Sequence, residues 1–91
     1  MKSLRLIISG RVQGVGYRDW LVAEARERGV GGWVRNRGAG QVEALLSGDD
    51  DAVDAVLAAC DRGPPYARVA SIAATECEPA DEPIFRRLAS V

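Results

Sequence analysis

The chain has no histidine. That absence removes the histidine-assisted serine and cysteine nucleophiles, the phosphohistidine route and every histidine-containing metal site, so any catalysis must proceed without an imidazole. Cysteine is scarce too: Cys60 and Cys77 are too few and too far apart for a CxxC redox pair or a zinc knuckle. Cys60 reads as a small buried hydrophobe on a helix face, and a bond between the two would need a geometry that sequence does not supply. Aromatic residues make up 5% of the chain, and no strand carries the aromatic run with which RNA-recognition domains stack bases. No apolar run approaches a membrane span, and Met1 to Gly10 lacks the apolar core and cleavage site of a signal peptide. A cytoplasmic protein without a membrane partner is expected. The net charge of -1 gives no global basic field for gathering nucleic acid, although the twelve Arg and Lys residues could form local patches.

What is present fits one small core: 91 residues, 47% of them hydrophobic, with no linker and no low-complexity segment. A single domain over 1–91 is expected, as a monomer. Leu4, Leu6 and Ile8 alternate with Arg5, Ile7 and Ser9 as a first strand. Tyr17, Leu21 and Ala25 recur at helical spacing up to Gly29. Val30 to Asn36 predicts a second strand, "NRGAG" a turn, and Val42, Ala44 and Leu46 a third strand. "DDDAVDAVLAAC" predicts a second helix with Val53, Val56, Leu57 and Cys60 on its apolar face. After "RGPPYAR", Val69 to Cys77 is β-permissive, and a short apolar segment from Ile84 to Leu88 closes the chain as an optional fifth strand. The order βαββαβ predicts an α+β fold: a ferredoxin-like α/β sandwich, an antiparallel sheet with two helices on one face.

"GRVQGVGYR", residues 10 to 18, joins the first strand to the first helix. Glycine there lets consecutive backbone N–H groups turn inward, and the helix start adds unpaired donors of its own. The turn is not a Walker loop, because the Gly-Lys-Ser/Thr ending is missing. Glycine needed only for backbone conformation would explain the turn equally well. Arg18 favours a bound anion, because a cation in the first helical turn faces the positive end of the macrodipole, a cost of about 0.3 to 1 kcal/mol that an oxyanion would offset.

"GRVQGVGYR", "GWVRNRGAGQVEALLSG" and "GPPYARV", with Phe85 near the end, together resemble the acylphosphatases over nearly the whole chain. The resemblance implies hydrolysis of carboxyl-phosphate anhydrides to a carboxylate and inorganic phosphate, with no metal and no cofactor. It also implies that the backbone of Gln13, Gly14, Val15, Gly16, Tyr17 and Arg18 cradles the phosphate, that the Arg18 guanidinium binds it, and that Asn36 orients the attacking water.

This chemistry suits a chain without histidine. A carboxylate leaves without a general acid, and a loose phosphoryl-transfer transition state asks mainly for positioning and for charge stabilisation. Asn36 can donate and accept without ionising, and a phosphate oxygen of the substrate is suggested as the acceptor of the water's proton. On residue type alone, Asn36 is also a strand-end turn residue. Asp49 to Asp51 could ligate Mg²⁺, but acidic residues opening a helix are expected from capping and dipole complementarity. Arg35 and Arg37 either widen an electropositive mouth or lie on opposite faces of a strand end; Arg26 and Arg28 are expected on the solvated side of the first helix. Trp20, Trp33, Tyr17 and Phe85 are expected in the core. The rival reading is a non-catalytic anion-binding or regulatory module of the same fold, from which Asn36 discriminates, since a pure binder has no need of it.

Overall fold

Alternation buries one side of the first strand: Leu6 and Ile8 are wholly inaccessible and Leu4 nearly so, while Arg5, Ile7 and Ser9 between them are not. The computed structural model describes Met1–Val91, with β1 (Lys2–Arg11), α1 (Tyr17–Glu27), β2 (Gly31–Arg37), β3 (Gln41–Gly48), α2 (Asp50–Arg62), β4 (Arg68–Glu76) and β5 (Arg86–Arg87) in chain order. Tyr17, Leu21 and Ala25 form one stripe on α1, and Val53, Val56, Ala59 and Cys60 one stripe on α2. Both stripes, Ala59 apart, join Leu6, Ile8, Val34 and Leu46 of the sheet in a single apolar cluster, so the helices share a face of the sheet. Burying each Leu, Ile or Val side chain among them stabilises by about 1.5–3 kcal/mol. No helix is long and apolar enough to cross a membrane.

The sheet order is β4-β1-β3-β2-β5. The pairs β1–β4, β1–β3 and β3–β2 are antiparallel, and β5 is parallel to β2. The four long strands pair antiparallel as expected, and the optional fifth makes the sheet mixed: after β4 the chain crosses to the far edge and arrives running in the direction of β2. Phe85, 0% exposed, anchors that arrival, while Ile84 beside it is 65% exposed.

Three further expectations need correction. Trp33 is not core: Val34 beside it faces the helices, so Trp33 lies on the open face of the sheet, where the Arg35 guanidinium stacks 4.7 Å from its ring centroid. Trp20, only part-buried, packs at the margin of the core, tilted against Tyr17. Arg35 and Arg37 fall on the same face of β2, two residues apart, and Arg35 widens no mouth: it is spent on Glu43, 2.8 Å away. Finally, Asp49 stands at the N-cap of α2 without a side-chain capping bond. Asp50 and Asp51 do stand in the first turn, as dipole complementarity predicts, and Asp50 pairs with the Met1 amine at 3.3 Å, while Asp54 further along α2 pairs with Lys2 at 2.7 Å.

Candidate active site

Residues 12–17 run from the end of β1 to the start of α1, strung between two side chains fixed in the core. Val12 and Tyr17 are each 1% exposed. Burial pushes the Tyr17 phenol above its ordinary range, so it stays protonated and donates a 2.6 Å hydrogen bond to the Cys60 carbonyl of α2. The loop is thereby pinned to the second helix as well as the first. Gly14 and Gly16 take positive φ, 72° and 80°, with Val15 between them. That alternation curls successive N–H groups toward one hollow, a conformation that a Cβ-bearing residue resists.

No backbone N–H from Gln13 to Asp19 finds an acceptor within the protein; the first intrahelical bond of α1 runs from Trp20 N to Gly16 O. The run merges with the free donors of the helix N-terminus. Arg18, part-buried on the first turn, takes part in none of the protein's ion pairs. Its neighbour Asp19 does not neutralise it, because that carboxylate is held by Arg87 at 2.8 Å. Backbone donors and an unanswered guanidinium together make a site for a compact oxyanion.

Asn36 lies near the end of β2, opposite Val42 of β3. Its Oδ1 is buried and has no hydrogen-bond partner. A buried amide oxygen left unpaired costs about 1–3 kcal/mol, so it is a feature that folding alone would remove. The structure joins the strand end that carries it to the loop through a contact that residue types did not foretell. The Gln13 side-chain amide donates to the carbonyls of Gly38 at 3.1 Å and Gln41 at 2.8 Å. Gln13 is thus a brace between loop and hairpin, beyond the backbone role expected of it. Its acceptors are main-chain groups far along the sequence, which no motif spells out.

Cys60 and Cys77 are free. Burial pushes the Cys60 thiol up to about 12, which leaves it an inert part of the core. No group of three or more Cys, Asp or Glu side chains comes together as a metal site.

A protein-family model described as Acylphosphatase matches residues 4–86. An acylphosphatase of Acidiphilium cryptum is 53% identical over 90 residues, covering 99% of each chain, and one of Rhodospirillum rubrum is 50% identical over 91 residues, covering all of both. The crystal structure of acylphosphatase from Bacillus subtilis superposes with a TM-score of 0.91 at 37% identity, covering 97% of this chain and 99% of that one.

Proposed function

We infer the roles of individual residues from a premise now in hand: this chain belongs to the acylphosphatase family, and it is an enzyme that hydrolyses acyl phosphates. The loop amides from Gln13 to Arg18 and the Arg18 guanidinium hold the phosphoryl group and take up charge on its equatorial oxygens. Asn36 addresses a water in line with the bond that breaks. The water oxygen attacks phosphorus, the bond from phosphorus to the acyl oxygen cleaves with its electron pair, and the carboxylate departs unprotonated. The water's proton passes to a phosphate oxygen, giving inorganic phosphate. No metal is assigned a part, since N–H groups and a guanidinium already supply the positive field. Residues 1–91 act as one monomeric domain; a cytoplasmic setting accords with two free thiols.

The observation that carries the reading is the buried, unpartnered Oδ1 of Asn36. A module that only bound phosphate would need the loop and Arg18 but not this atom. Asn36→Ala should lower kcat at least about a hundredfold, the effect of losing one preorganised polar group, while the dissociation constant of inorganic phosphate barely moves. Calorimetric titration of phosphate and single-turnover hydrolysis of benzoyl phosphate, both with chelator present, measure the two quantities. Equal losses in affinity and rate would make Asn36 a phosphate ligand or a turn residue, and a rate recovered only by added Mg²⁺ would return a metal to the mechanism.

A further inference from the structure

An amide whose oxygen bonds to nothing in the protein is aimed by its backbone and by packing alone. The backbone of Asn36 therefore matters more than that of an ordinary strand residue. On one side β3 holds it; on the other, β2 would be an exposed edge running into a turn that contains Gly38 and Gly40. The end of the chain occupies that edge. Phe85 is buried in the core, and its carbonyl accepts from Arg26 Nε at 2.8 Å. Arg86 and Arg87 pair with Trp33 and Val34, and Leu88 N donates to Val34 O at 2.8 Å.

Beyond the two residues of β5 the chain returns for one more contact. Val91 N donates to Asn36 O at 3.0 Å, and Gly38 N donates to Val91 O at 2.9 Å. These bonds bracket Asn36 and the first glycine of the turn. Val91 is 63% exposed and adds little to the core, so the two main-chain bonds are its principal contribution.

We propose that Val91 is a positioning residue: its backbone clamps Asn36 and Gly38, and so aims the Asn36 amide at the attacking water. The role rests on the reading of Asn36 given above and concerns the chemical step, not the capture of phosphate, which belongs to the loop on the other side of the site.

Proline removes the N–H and leaves the main-chain oxygen, whereas alanine keeps both. In the full chain, Val91→Pro should lower kcat about tenfold, as a small misplacement of a catalytic group does, with the inhibition constant of inorganic phosphate and the Tm close to wild type. Val91→Ala should match wild type in all three, and deletion of Val91, which removes both bonds, should lower kcat at least as far as the proline variant. In an Asn36→Ala background, Val91→Pro should cause no further loss, because the two residues act through one group. Full kcat in both Val91→Pro and the deletion overturns the role, as does an equal loss in the Asn36→Ala background or a parallel loss of phosphate affinity. The two readings fail separately: a crippled Asn36→Ala beside an unaffected Val91→Pro defeats the clamp alone, and an unaffected Asn36→Ala defeats the assignment beneath it.

Discussion

Arg18 and Glu43 show two fates for charge in one small protein. Arg18 has no carboxylate partner. Arg18→Ala should lower kcat/KM by at least about a thousandfold and weaken phosphate inhibition as well, because the guanidinium meets a charged group in both ground and transition states. Arg18→Lys should fail similarly, since a point charge cannot make two parallel hydrogen bonds to one phosphate. Steady-state kinetics with phosphate as inhibitor decide it, and a lysine variant of near-normal rate would reduce the residue to a simple cation. Glu43, its side chain 4% exposed, is by contrast fully answered, by Arg5 at 2.7 Å and Arg35 at 2.8 Å. Burial works to raise its carboxyl, and the bonds from Arg35 and Arg5 outweigh it, holding it below its ordinary value of 4.5. Its contribution to stability is therefore complete above that value and is lost as pH falls through the lower, folded one. Denaturation midpoints measured from about pH 3 to 6 should fall toward acid more steeply for wild type than for Glu43→Gln, and parallel curves would show the triad to be idle. Arg18 could be singled out from sequence, because its position at a helix start is locally anomalous. Asn36 is a turn residue by type, and the property that sets it apart, an unpaired buried oxygen, exists only once the chain is folded.

At the scale of elements, periodicity placed the long strands and both helices, since each buries one regularly spaced stripe. It could not say which face of the hairpin the helices would cover. Trp33 is expected in the core, but its neighbour Val34 has the core-facing place and Trp33 serves as a platform for Arg35 on the open side. The parallel pairing of β5 was illegible for another reason: two arginines carry no strand periodicity, and what holds them is main chain on β2 and the anchor of Phe85 one residue earlier. Gln13 was visible as a loop residue and invisible as a brace, because its partners are carbonyls, which every residue possesses.

For the whole molecule, the missing imidazole has a measurable counterpart. The phenol and the thiol nearest the loop, Tyr17 and Cys60, are both raised by burial, to well above neutrality. Neither group then changes charge near neutral pH, and in a chain without histidine kcat should vary less than about twofold between pH 6 and 8, where a histidine-dependent hydrolase would show a limb. A stopped assay across that range tests it, and a bell centred near pH 7 would point to an unrecognised acid or base. The order of the sequence adds a temporal dimension to the architecture. A ribosome delivers about 5–20 residues per second, amino end first. The loop, Arg18 and Asn36 are among the earliest parts made. The strand that flanks β1 just before the loop, and the backbone that brackets Asn36, are made after them. A nascent chain thus carries the loop, Arg18 and Asn36 well before it carries the strand and the main-chain contacts that hold them in place.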